Sequence, residues 1–195
     1  NYYLFLFINI LLVYLGVSNG ILNKNLPAFF IFLQNFHTPV DLLYTESWSL
    51  SVEEWFYMSF PFLLLLFLMV FKKILKLRSI VLLAIVVFIT FPLFFRIYKG
   101  MMHTEMSYTY WDLWFRKLVL TRLDTIGWGV LGAYIKYYHE AVWHKYRNVC
   151  FVVGIILMYF VITIPKDPVS NFIKDYYLSL SGISCLLLLP KAESI

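Results

Sequence analysis

The feature that most constrains this chain is a recurrence of uncharged apolar stretches about as long as a bilayer is thick. A helix needs about 20 mostly apolar residues to cross the hydrocarbon core, with about 17 as the lower bound. Residues 1–23 carry no charge, and Trp55–Phe71 and Ser79–Phe95 are each 17 uncharged residues joined by the basic linker KKILKLR. Asn148–Pro165 is a further apolar run, Tyr176–Pro190 a shorter one of 15 residues, and Leu118–Ile135 has span length but contains Arg122 and Asp124. Leu26–Phe36 is too short to cross and reads as an interfacial or re-entrant piece. The expected fold is therefore all-α, a polytopic transmembrane helical bundle of about five to six spans forming a single integral membrane domain over residues 1–195.

Composition excludes the alternatives. At 62% hydrophobic and 14% charged residues the chain lies far from a soluble domain, which averages roughly 25% charged. Its 8 Gly and 7 Pro are too few for a collagen-like or low-complexity chain. The net charge of +5 does not point to nucleic acid, because the Lys and Arg sit between apolar runs, where they report topology. Cys150 and Cys185 both lie inside apolar runs and form no disulfide framework.

Positive residues concentrate in short segments. Lys72, Lys73, Lys76 and Arg78 fill one linker, Lys136, Lys145 and Arg147 another, and Lys191 the tail. Alternating helices put all three on one side, so 72–78 and 136–147 are expected in the cytoplasm of a multi-pass protein of the inner (plasma) membrane. The opposite side carries Lys24, Arg96, Lys99, Arg116, Lys117, Lys166 and Lys174 in longer segments.

Two stretches hold the chemistry. In the first, T-E-S-W-S-L-S-V-E-E-W-F-Y-M-S-F-P from Thr45 to Pro61, Ser51 and Glu54 have the spacing of a helix capping box. Trp48, Trp55 and Tyr57 suit an aromatic belt. The same stretch supports a site: Glu53 and Tyr57 are four apart on one helix face, and Pro61 could kink the helix beyond them. In the second, T-R-L-D-T-I-G-W-G-V-L-G-A from Thr121 to Ala133, a charge at the centre of a bilayer helix costs about 2.5 to 3.5 kcal/mol, less near its end. Arg122 and Asp124 are two apart and point to different sides, so each needs a partner elsewhere. Arg122 paired with Glu53 or Glu54 would be either a structural clamp or part of a polar reaction cavity. Gly127, Gly129 and Gly132 match a dinucleotide fingerprint that no strand precedes, so Gly129 and Ala133 read instead as a close helix contact. His37, His103, His139 and His144 are dispersed without metal-ligand spacing, and no metal site is expected.

W-S-L-S-V-E-E-W-F-Y followed by Pro61 resembles the signature of the acyltransferase 3 family of multispan membrane acyltransferases, and T-R-L-D-x-x-x-x-G from Thr121 to Gly129 resembles its second recurrent element. The resemblance implies transfer of an acyl group, commonly acetyl from acetyl-CoA, to a hydroxyl of a cell-envelope carbohydrate, with acyl-CoA as donor substrate and no bound cofactor. It implies supporting or orienting roles in catalysis for Glu53, Tyr57, Arg122 and Asp124, and contact with the acceptor for Trp48, Ser49, Ser51 and Glu54. The family's Arg and His element and its acyl-CoA element, both expected upstream of the WSL segment, are not in this chain. With Asn1 at the start and an apolar run close to the end, the sequence is expected to be part of a larger protein and to be inactive alone. The rival readings are a transporter or flippase of lipid-linked sugars, in which buried charges mark a substrate path, and a purely structural membrane subunit.

Overall fold

The computed structural model describes residues 1–22, 24–103, 106–165 and 170–193. Lys166, counted above among the outer-side charges, lies outside them. Every regular element among the described residues is helical. The order is α1 (Tyr2–Tyr14), α2 (Leu26–Phe30), α3 (Trp48–Phe71), α4 (Leu77–Met101), α5 (Tyr108–Trp111), a π-turn (Asp112–Arg116), α6 (Leu123–Tyr138), α7 (Glu140–Lys145), α8 (Arg147–Thr163) and α9 (Asn171–Ala192).

Three of these helices, α3, α4 and α9, are long and apolar enough to cross a membrane, against the five or six spans expected. The shortfall has local causes. α1 has 13 residues, about 20 Å at 1.5 Å per residue, because the chain leaves the helix ahead of Gly16, which sits at φ +71°. α8 stops at Thr163, two residues before Pro165, after 17 residues. The Leu118–Ile135 stretch is helical only from Leu123, since other parts of the fold take up the backbone and side chains of 118–122. α9, by contrast, starts at Asn171 and reaches 22 residues, longer than its uncharged run. The continuous helix also passes through Pro61 and starts three residues ahead of Ser51. Ser51 is therefore no cap; its hydroxyl is buried and donates to the Ser47 carbonyl at 3.4 Å, and Ser47 sits at the N-cap position.

α4 is the centre of the bundle, packing on α3, α6 and α9, while α8 packs on α9. Phe88 of α4 meets Phe56 and Phe60 of α3 edge-on, with ring centroids 5.4 Å apart in each pair. Close approach occurs at glycines other than Gly129, which has nothing within 4 Å of where a Cβ would lie. A Cβ at Gly127 would meet Ile89 Cγ1 at 2.9 Å, and one at Gly182 would meet the Trp128 ring at 2.5 Å, so these two positions let α6 approach α4 and α9 approach α6. α3 and α8 turn long rows of apolar side chains outward, including Phe62, Leu65, Met69, Val152, Ile156 and Tyr159. Such surfaces suit lipid, and the chain is a membrane-embedded helical protein.

The helices alternate in direction. Trp48 at the start of α3 lies beside Arg122 at the start of α6, and Ser79 near the start of α4 shares a groove with His139 just past the end of α6. Lys136 of α6 pairs with Glu193 after α9. The basic segments 72–78 and 136–147 and Lys191 thus share one end, here called the basic end. With Cys150 and Cys185 replaced, single cysteines at Thr45 and Ser79 should respond oppositely to an impermeant thiol reagent added outside, Thr45 being labelled and Ser79 protected. Labelling of both would overturn this arrangement in the membrane.

Candidate functional site

The end of the bundle opposite the basic linker is assembled around a short irregular segment between α5 and α6. In the π-turn, Asp112 pairs with Arg116 and with Lys117, the latter at 2.8 Å. Burial alone would raise the Asp112 carboxyl, but the hydrogen bonds and charges of Arg116 and Lys117 outweigh it and hold it below the usual carboxylate range. Asn35, fully buried, ties the segment down: its side-chain amide N–H groups donate to the Trp48 carbonyl at 3.0 Å and the Lys117 carbonyl at 2.7 Å, and its main-chain carbonyl accepts from Val119 N–H at 3.0 Å. The Thr121 hydroxyl donates to the carbonyls of Phe115 and Leu118.

Asp124, in the first turn of α6, faces inward and meets Arg96 of α4; both side chains are wholly shielded from solvent. The contact is bidentate, Nη1 to Oδ1 at 2.9 Å and Nη2 to Oδ2 at 2.8 Å. The remaining Arg96 donors go to the Thr121 carbonyl (2.5 Å), the Asp175 carbonyl (3.0 Å) and the Ser179 hydroxyl (2.5 Å), so all five N–H groups of the guanidinium are used. Ser179 in turn donates to Asp124 at 2.6 Å. This network joins α4, α6 and α9 with every charge paired and no room for a substrate, which makes it a clamp.

Arg122, two residues before Asp124, points the other way. Its guanidinium carbon lies 5.0 Å from the centre of the Trp48 ring, with that of Arg116 at 5.4 Å from the same ring. Its one side-chain hydrogen bond among the described residues is a long one of 3.5 Å to the Arg116 carbonyl, so the expected ion pair with Glu53 or Glu54 is not formed. The groups nevertheless share a place. Trp48, Ser49 and Glu53 of α3 face Arg122 and Thr125 across a cavity of about 160 Å³ floored by Val52 and Ile126. Helical spacing explains the set: Ser49 and Glu53 are four apart, as are Arg122 and Ile126. The Thr125 hydroxyl is buried there without a partner among the described residues. Glu53 and Glu54 are exposed and make no hydrogen bond or ion pair among the described residues.

Of the residues singled out from sequence, Trp48, Ser49, Glu53 and Arg122 therefore converge. Ser51 turns into the helix backbone, Glu54 does not line the cavity, and Tyr57 is 64% exposed on the outer flank of α3 with its ring against Phe56. Asp124 lies behind the cavity in the clamp. Thr125, Asn35, Arg96 and Ser179 were not anticipated; the only signal for Arg96 was its position directly after the uncharged run Ser79–Phe95. Among the described residues no group of three or more His, Cys, Asp or Glu could hold a metal, and His144 pairs with Glu140 at 3.6 Å.

Fold and site together define an all-helical membrane protein with a buried ion-pair clamp beneath a small polar cavity. No family model matches the chain, and no curated protein or solved structure gives a match.

Proposed function

We propose that the chain belongs to a membrane O-acyltransferase that moves an acyl group, commonly acetyl, from acyl-CoA to a hydroxyl of a cell-envelope carbohydrate, in the plasma membrane with segments 72–78 and 136–147 on the cytoplasmic side. One observation carries this reading. The two stretches that resemble recurrent elements of acyltransferase 3 proteins lie about 70 residues apart in sequence, yet line the same cavity through Trp48, Ser49 and Glu53 on one side and Arg122 and Thr125 on the other.

The cavity's chemistry fits a hydroxyl-bearing acceptor. Glu53 is an unengaged acceptor for a sugar O–H, while Arg122 and the orphaned Thr125 hydroxyl supply donors. At about 160 Å³ the space is below the roughly 300 Å³ at which small-molecule pockets begin, so it would take one edge of a sugar. In the transfer, the acceptor oxygen attacks the thioester carbon, the C–O bond forms, the C–S bond breaks and CoA leaves as the thiol. Glu53 orients the attacking hydroxyl; the clamp around Asp124 fixes the position of Arg122 without touching substrate.

The test compares ester-linked acetyl on envelope carbohydrate in cells with and without the gene for the protein. Loss of a specific O-acetyl group on deletion, restored by the intact gene, is the expected result. An unchanged O-acetylation profile in both strains would refute the reading.

A further inference from the structure

The basic end of the bundle carries a second, larger concavity that the transferase reading does not use. Between the first turns of α4 and the end of α6 runs a groove of about 530 Å³ whose polar mouth is formed by Arg78, Ser79 and His139 and whose walls are Leu82, Val86 and Tyr134. Its polarity is graded by helix geometry. Arg78, Leu82 and Val86 are successive i, i+4 positions, one stripe along α4, so the groove passes from cationic to aliphatic over about 12 Å. Leu82 and Val86 are 36% and 45% exposed, which leaves the aliphatic part open at the side of the bundle, where lipid chains lie.

The charges of Arg78 at the mouth and of the linker that leads to it are unspent. Lys72, Lys73, Lys76 and Arg78 are all exposed and make no ion pair or hydrogen bond through their side chains among the described residues. Of the acids at this end, Glu193 is taken by Lys136 and Trp143 on the other flank of α6, and Glu140 lies 3.6 Å from His144. The start of α4 adds its own partial positive charge, with Lys76 at the N-cap in extended conformation and no side-chain cap on the first N–H groups. Four cations beside a membrane helix are the electrostatic footprint of an anionic lipid headgroup.

We propose that this groove is a binding site for one anionic phospholipid of the adjacent leaflet, its phosphate held by Arg78 with Lys76 and the α4 N-terminus, and one acyl chain laid along Leu82 and Val86 toward Tyr134. The lipid fits where a soluble anion does not, because the site joins a cationic mouth to an open aliphatic wall in a single concavity. Bound there, it bridges α4 and α6, the two helices that the Arg96–Asp124 clamp joins at the opposite end. The proposal stands on the groove and its charges and is independent of the transferase reading.

The full chain is reconstituted in nanodiscs of phosphatidylcholine with about one-third phosphatidylglycerol, released, and its retained lipid counted by native mass spectrometry. One retained phosphatidylglycerol per chain, and no phosphatidylcholine, is the expected result. Arg78→Gln should lower retention about fivefold and Lys76→Gln with Arg78→Gln further, at about 1 kcal/mol per cation. Val86→Trp, which fills the aliphatic wall and keeps every charge, should lower it too. Lys145→Gln with Arg147→Gln, the same charge change outside the groove, should leave it unaltered. Equal losses in this control, retention of phosphatidylcholine as often as phosphatidylglycerol, or retention unchanged in both Arg78→Gln and Val86→Trp would each overturn the site. Displacement of the retained phosphatidylglycerol by inorganic phosphate or by acyl-CoA would assign the groove to a soluble anion and overturn it as well.

Discussion

Arg96→Met alone is expected to destabilise the folded protein by about 3 to 5 kcal/mol, because among the described residues it leaves the buried Asp124 carboxylate with only the Ser179 hydroxyl for a partner. Asp124→Leu should cost a similar amount, since Arg96 would keep its carbonyl and hydroxyl contacts but lose its counter-charge. Against a total stability of roughly 5 to 15 kcal/mol either change removes a large share. The double variant, Arg96→Met with Asp124→Leu, should be far less harmful than the two losses added together. It removes both charges and leaves the carbonyls of Thr121 and Asp175 and the Ser179 hydroxyl short of a partner, at about 1 kcal/mol each. Thermal unfolding of the four proteins in the same detergent measures this directly. A single-variant loss below about 1 kcal/mol, or a double variant as unstable as the sum of the singles, would show that the network is not the clamp described above.

The second large effect concerns the cavity itself. In cells carrying the whole protein, Glu53→Gln preserves shape and removes the acceptor charge, and O-acetylation per membrane-inserted protein should fall by about 100-fold, the order of loss when a reacting group is no longer held in position. Glu54→Gln should leave activity near normal. Successive residues on a helix point about 100° apart, and Glu54 does not line the cavity. Tyr57→Phe should also be near normal, since its hydroxyl is on the exposed flank of α3, although the sequence resemblance had placed it among the supporting residues. Near-normal activity in both glutamate variants would remove the Trp48 segment from the chemistry and leave it a helix start beside a Trp–Arg stack. Neither glutamate has a hydrogen-bonded partner among the described residues whose loss would confuse the comparison through folding.

Membrane character, helical class and the shared face of the basic segments could be read from the chain before any coordinates, for one physical reason. Burial in lipid is decided residue by residue, so an uncharged run and the charges that bound it are local signals. The α3–α4 hairpin follows from the same rule: two apolar runs of span length and a short charged linker leave little choice. Helix ends were less legible. α1 stops short, 118–122 stays out of α6 and α9 begins early, because the competing partners, a glycine at positive φ, the amide of Asn35 and the cap of Ser170, act through particular backbone groups rather than average hydropathy.

What a side chain meets across helices was decided only by tertiary structure. Sequence spacing correctly separates Arg122 from Asp124, since residues two apart face different sides, but it carries no signal that Arg96, 28 residues away, is the partner of Asp124. Nor does it tell that Arg122 lies on Trp48 rather than against a glutamate. The close contacts at Gly127 and Gly182, and not at Gly129, follow from how α4, α6 and α9 are rotated about their axes. The sequence by itself determined that two charges enter the apolar bundle and must be compensated, because lipid offers them nothing. Which groups compensate them, and which glutamate is left open to a substrate, depends on helix rotation and register, and those are settled only when all the helices pack at once.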